Sequence, residues 1–145
     1  MCEIFIGADP EGYGSRTRSV RLHGVVTSIR LENLFWDVLK EIAGRDGMGV
    51  VQLIEKLYDE LIAARGEAGN FASFLRVSAL RYEALLAHQG IPADTSVPIR
   101  TLNPQQVLQA LPPHWRGSSS AAGVQATSFS ASARACAAAK SSAPV

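Results

Sequence analysis

Four arginines (Arg16, Arg18, Arg21 and Arg30) and His23 lie between Gly12 and Leu31, a stretch without a single aspartate or glutamate. Guanidinium groups gathered without neutralising carboxylates create a local positive field, the kind that attracts phosphate. The formal net charge of the chain is only +1, so the footprint is local, and charge alone would equally fit a solvated basic run. The other chemistry-bearing residues are scattered. His23, His88 and His114 have no metal-ligand spacing, and Cys2 and Cys136 stand at opposite ends of the 145 residues. This pattern argues against a four-ligand zinc site and a disulfide framework. No cofactor or metal is expected.

Cys2 carries the one enzymatic reading. Removal of Met1 would expose an N-terminal cysteine, and Met-Cys-Glu-Ile-Phe superficially resembles the start of class II glutamine amidotransferases. Those catalytic domains are antiparallel sandwiches longer than this whole chain, and nothing after Gly24 alternates like one. The expectation is a protein that is not an enzyme. No apolar run approaches the roughly 20 residues of a membrane helix. Glu3 at the N-terminus is unlike a secretory leader, so a cytoplasmic location is expected.

The residues that must position the arginines begin with Val25–Leu31. Val25, Thr27, Ile29 and Leu31 fall on one face of an alternating pattern, and Val26, Ser28 and Arg30 fall on the other. Period-two alternation marks a half-buried strand. A strand needs a partner ladder for its backbone groups. The only competing apolar run is at Met1–Ile6, cut off by the turn-forming stretch Gly7–Gly14. The simplest expectation is a copy of the same strand from a second chain, giving a two-stranded antiparallel ribbon. Residues 1–15 then read as an N-terminal arm.

Helical patterns follow. Glu32-Asn33 offers acceptors to a helix start. Leu34, Phe35, Val38, Leu39 and Ile42 recur at three-four spacing up to a stop at Arg45-Asp46-Gly47. A second amphipathic helix runs from about Val50 to Arg65. Asn70 caps a third, Phe71 to about His88, whose apolar residues spread around its circumference, which suggests burial in a dimer. Residues 89–116 contain prolines and a short helix opened by Asn103-Pro104. Residues 117–145 are rich in serine and alanine and nearly uncharged, so a disordered tail is expected there. Trp36 reads as a packing residue. Arg76, on an apolar helix, needs a partner, with Asp37, Glu41 or a main-chain carbonyl as candidates.

Strand, helix, short turn, helix, preceded by a basic stretch, resembles the ribbon-helix-helix DNA-binding proteins. The segment Arg18-Ser19-Val20-Arg21-Leu22-His23-Gly24-Val25-Val26-Thr27-Ser28-Ile29-Arg30-Leu31-Glu32-Asn33-Leu34-Phe35-Trp36-Asp37-Val38-Leu39 is similar to the R-S-x-R-L-x-G-x-x-T-S-x-R-L-E-x-x-F-W-x-x-L motif of a bacterial subgroup. Asn70–Val77 matches the way that subgroup continues. The resemblance implies a mainly α fold: a ribbon-helix-helix domain over residues 16–88, extended by the third helix. It implies a homodimer whose ribbon enters the major groove of double-stranded DNA, as a transcriptional regulator does. Val26, Ser28 and Arg30 would then read bases. Arg16, Arg18, Arg21 and the helix start at Gly49-Val50 would hold phosphates. Ile29, Leu31, Phe35, Trp36, Leu39, Leu53, Ile54 and Leu57 would form the dimer core. The alternative is a dimer that serves as a protein-interaction module, an antitoxin or adaptor.

Overall fold

Two alternating runs of equal length sit either side of His23-Gly24, and that pair closes them into a hairpin. In the computed structural model, which describes residues 2–117, β1 (Ser15–Leu22) pairs antiparallel with β2 (Val25–Glu32). The ladder runs from Leu22↔Val25 at the turn to Ser15↔Glu32 at the open end. His23 and Gly24 both have positive φ, 49° and 83°. Two successive left-handed residues are what a two-residue hairpin turn needs to match strand twist.

The expected cross-chain pairing is therefore corrected. β2 finds its partner within its own chain, in the segment that reads as a basic arm. That segment is hidden by composition: three of its eight residues are arginine, and Arg16 and Arg18 occupy the same face as Val20 and Leu22, which disguises the alternation.

The N-terminal residues are also more structured than an arm. α1 (Cys2–Ile6) and α2 (Pro10–Tyr13) precede β1. The Asp9 side chain caps α2 by accepting from the Glu11 N–H at 3.0 Å. The segment is tied to the start of α3 (Asn33–Arg45). There the Asn33 backbone N–H donates to the Gly14 carbonyl at 2.8 Å, and its side-chain Nδ2 donates to the Glu11 carbonyl at 2.8 Å. Glu32 occupies the N-cap position of α3 without a side-chain capping bond, because its carboxylate is turned elsewhere.

α4 (Val50–Arg65) ends at Gly66 in the left-handed conformation, and α5 (Phe71–Ala87) begins under the Asn70 cap, whose side chain accepts from the Ser73 N–H at 3.1 Å. The inner face of the ribbon contributes Val20, Leu22, Ile29 and Leu31 to a core completed by Trp36, Leu39 and Ala43 of α3, Leu53 and Ile54 of α4, and Leu75 of α5. Burying each such large aliphatic side chain stabilises by roughly 1.5–3 kcal/mol. Of the residues assigned to a dimer core, Ile29, Leu31, Trp36, Leu39, Leu53 and Ile54 are buried within one chain, and Phe35 and Leu57 pack partly buried against them.

The nearly all-round apolar surface of α5 has an internal explanation as well. Its first half faces the ribbon core. Its second half, through Tyr82 and Leu85, meets a second cluster with Ile91 and Leu111 from the returning chain. Gly90 makes that return compact, since a Cβ there would stand 2.7 Å from Ala110 Cβ. α6 (Pro104–Gln109) follows, capped by the Asn103 side chain as its Asn-Pro start suggests. The tail expected to be disordered lies outside the described residues. Among those described, no helix is long and apolar enough to cross a membrane.

Tyr82 is the polar link between α3 and α5. Its hydroxyl donates to Glu41 Oε1, and the Arg45 guanidinium lies over its ring at 5.5 Å. Burial, reinforced by the Glu41 hydrogen bond and opposed by Arg45, pushes the phenol up from 10.0 to about 12. A raised pKa means that the folded state favours the neutral phenol. That stabilisation is fully present below pH 10 and is lost as pH rises towards about 12. Phenolate absorbance should therefore include one late-ionising tyrosine, absent in Tyr82→Phe. The hairpin gives a second expectation. A Cβ at Gly24 would meet nothing within 4 Å, so Gly24→Val should cost only its backbone strain, about 1–2 kcal/mol in urea unfolding.

Candidate nucleic-acid interface

With the register fixed, cross-strand pairs sort into two faces. Arg16/Leu31, Arg18/Ile29, Val20/Thr27 and Leu22/Val25 belong to the helix-facing side. Thr17/Arg30, Ser19/Ser28 and Arg21/Val26 belong to the outer side, and all six of these outer residues are exposed. The central rungs of the outer face thus gather two arginines, two serines, a threonine and a valine, and its end rung, Ser15/Glu32, holds the hairpin's carboxylate.

Val26, Ser28 and Arg30 stand together on this face. Arg21, assigned to phosphate from the sequence, stands on it too, diagonally across the ribbon from Arg30. Thr17 and Ser19, for which the sequence pattern suggests no role, complete it. Their signal was available: Ser19-Val20-Arg21-Leu22 recurs as Ser28-Ile29-Arg30-Leu31, one copy on each side of a two-residue link. Two short alternating runs separated by two residues, the second a glycine, are a hairpin signature.

Arg16 and Arg18 have different surroundings. The Arg18 guanidinium carbon lies 5.1 Å from the centre of the Trp36 ring, a cation–π arrangement at the ribbon's helix side. The Trp36 indole N–H donates to the Arg16 carbonyl at 3.0 Å, which fixes the strand to α3. Arg16 lines a shallow cleft that also contains Asp9, Glu11 and Asp37. The α4 start is a separate place. Its Gly49 N–H donates to Gln52 Oε1 at 2.9 Å, while the next backbone N–H groups are those of a first helical turn. The hairpin tip meets α4 further along: His23 Nε2 lies 2.6 Å from Asp59 Oδ1, and its ring is edge-on to Tyr58. Gly49 is about nine residues before that contact, roughly 13 Å along the helix axis.

Two polar contacts hold the open end of the ribbon. Arg30 Nε donates to Ser15 Oγ across the strands at 2.8 Å, which orients the guanidinium and leaves its two terminal nitrogens directed away from that bond. Arg76 of α5 holds Glu32 with a two-point grip, Nε to Oε2 at 2.8 Å and Nη2 to Oε1 at 3.3 Å, and Nη2 also reaches the Arg30 carbonyl at 3.4 Å. The main-chain carbonyl expected for Arg76 is present. Its carboxylate is Glu32, however, in place of Asp37 or Glu41, because α5 lies against β2 and Glu41 is engaged by Tyr82. The Glu32–Arg76 pair draws the one carboxylate of the hairpin, at the end of the outer face, towards α5.

A β-ribbon backed by two consecutive amphipathic helices is the architecture of the ribbon-helix-helix class, whose members commonly bind DNA. A family model for the ribbon-helix-helix domain matches residues 15–83, and the chain belongs to the ribbon-helix-helix family. It is also similar to a solved structure, that of an uncharacterized protein from Bordetella pertussis Tohama I. The two are 63% identical, the match covers 79% of this chain and 92% of that one, and the TM-score is 0.76. No curated protein matches the chain.

The Arg76 hydrogen bonds, the largest influence on Glu32, hold its carboxyl below the usual glutamate range. A depressed carboxylate pKa contributes stability at pH values above the unfolded-state pKa, and this is lost as pH falls through the folded one. The stability this tie contributes should therefore be lost as pH falls below the usual glutamate range. Glu32→Gln should flatten the acid limb of the stability profile and leave neutral-to-alkaline behaviour parallel to wild type.

Proposed function

We propose that this protein is a sequence-specific DNA-binding transcriptional regulator that lays its β-ribbon in the major groove. One observation carries the reading: the central rungs of the ribbon's outer face are exposed and carry two arginines, while the carboxylate at its end rung, Glu32, is held by Arg76. A two-stranded ribbon fits the major groove, which is about 12 Å wide. There Arg30 can donate two hydrogen bonds to guanine O6 and N7, Ser28 can donate or accept, and Val26 can pack on a thymine methyl. Arg16, Arg18 and the first turn of α4 at Gly49-Val50 then serve phosphates beside the groove, positioning the ribbon without reading sequence. Catalysis is not part of this reading, and the site asks for no cofactor.

The family's homodimer enters this proposal with a changed purpose. A second copy is not needed to complete the ribbon, so it would join through another surface. Leu34 and Tyr13, 61% and 65% exposed, stand beside Ala8 and Phe35 around an open apolar cleft of about 380 Å³. The same cleft is the specific feature that favours the second reading, an interaction module in which a protein partner sits there.

Gel-shift titration on a pool of random-sequence duplexes should give binding that weakens steeply with salt. Arg30→Ala should remove sequence preference, costing roughly tenfold or more on selected sites, while the chain stays folded, since exposed Arg30 gives up only its bond to Ser15 Oγ. Equal binding of wild type and variant to every duplex would remove the base-reading assignment. A protein partner retained through about 0.5 M salt, where phosphate contacts fail, would instead favour the module.

A further inference from the structure

Away from the ribbon's outer face, α4, α5 and the end of the described chain enclose an open groove of about 670 Å³. We infer that this groove binds an amphiphilic organic anion, a carboxylate or phosphate head on an apolar body. Three arginines line it: Arg65 from the last turn of α4, Arg81 from α5, and Arg116 just after Trp115. Glu67 is the one carboxylate of the lining, so positive charge is in excess there. Among the described residues, the ion pairs are His23–Asp59 and Glu32–Arg76. None of the three groove arginines therefore has a carboxylate partner among them. Two of the guanidiniums are fixed by main-chain carbonyls instead. Arg81 Nη1 donates to the Trp115 carbonyl at 2.6 Å. Arg116 donates to the Leu111 carbonyl at 2.9 Å and to the Gln109 carbonyl at 3.0 Å. Such bonds hold the planar forks at the groove without neutralising them. A guanidinium held in place and still charged is suited to the paired hydrogen bonds that carboxylate and phosphate accept.

The rest of the lining asks for an apolar body. Phe74, Val77 and Arg81 succeed one another on α5 at three-four spacing, which aligns them on one face. Buried Leu61 of α4 lines the groove with them. Val77 is left open to solvent beside the guanidiniums. A solvated basic surface would account for the arginines; it would not account for an apolar stripe between them in a concave place. The volume falls within the about 300–1,000 Å³ of small-molecule sites. The chain's own continuation is the wrong occupant on charge, since residues 118–145 contain Arg134 and Lys140 and no aspartate or glutamate. DNA held by the ribbon is a poor fit on position. Arg65 stands about 15 residues beyond the α4 start, roughly 22 Å along the helix axis from the backbone groups proposed for phosphates. The helices also cover the inner face of the ribbon, opposite to the face proposed to read bases. The inference thus goes beyond the DNA-binding reading and does not rest on it.

The test is calorimetric titration of the full chain with octanoate, octyl phosphate, octanol and inorganic phosphate. Octanoate or octyl phosphate should bind at one site per chain, and the tighter of the two identifies the head group. Octanol and inorganic phosphate, each lacking one half of the ligand, should bind at least about tenfold more weakly. Arg65→Ala should weaken amphiphile binding by about tenfold or more, the loss of one charge-assisted contact. Val77→Asp, which adds a carboxylate to the apolar stripe, should weaken it at least as much. Arg65 and Val77 are exposed, so both variants should stay folded, and urea unfolding checks this. Arg100→Ala, at an exposed arginine outside the groove, should titrate as wild type. Failure of both amphiphiles to bind, octanol or inorganic phosphate binding equally well, or affinity unchanged in both groove variants would overturn the inference. So would an equal loss in Arg100→Ala, which would mean unspecific attraction by positive charge. Without amphiphile, Arg65→Ala should bind duplexes as wild type does. A weaker duplex complex with its salt slope reduced by about one would make Arg65 a phosphate contact and overturn the site. Absence of any bound duplex would instead overturn the DNA-binding reading and leave this site standing on its own titrations.

Discussion

The backbone ladder between Ser15–Leu22 and Val25–Glu32 is the constraint from which the remaining structure follows. It satisfies the inner N–H and C=O groups of both strands within one chain, so neither is left seeking an edge at the turn side. It also fixes which side chains point where, since the side-chain period is two and a slip of one residue would exchange the faces. Once Val20, Leu22, Ile29 and Leu31 share a face, that face must be covered. α3, α4 and α5 are the amphipathic elements that cover it.

Charge is partitioned by the same arrangement. Glu32 would place a carboxylate at the end of the reading face if it followed the strand outward. Arg76 draws it towards α5 with paired hydrogen bonds, and a two-point guanidinium–carboxylate pair is stronger and more directional than a single contact. Arg18 is drawn the other way, over Trp36, and the Trp36 N–H is used on the Arg16 carbonyl. Arg21 and Arg30 are left as the outward cations. The four arginines of the hairpin are thus divided between its two faces, Arg16 and Arg18 on one and Arg21 and Arg30 on the other.

The C-terminal half of α5 and the chain that returns after it make a second small core around Tyr82, Leu85, Ile91 and Leu111. This layer answers the question raised by a helix apolar on nearly every side. A helix of that kind must be covered more than once, and the covering comes from residues 91–111 of the same chain. Val77 and Leu80, 52% and 47% exposed, are the large apolar residues of α5 that stay exposed. Buried Arg45 bridges the two regions by donating to the Pro92 carbonyl at 2.7 Å.

Helix positions and their caps were legible from residue order alone. Asn70, Asn103-Pro104 and the Gly47 and Gly66 stops act within a few residues of themselves, so local chemistry suffices to read them. The alternation of Val25–Leu31 and its family resemblance were legible for the same reason. What covers a face or pairs with a strand is a long-range matter. The partner of β2, the covering of α5 and the carboxylate that holds Arg76 each depended on which segments the chain brings together. The roles of the arginines depended on it most, because residues at similar spacing along the chain can be told apart only when the strand register says which side of the ribbon each one is on.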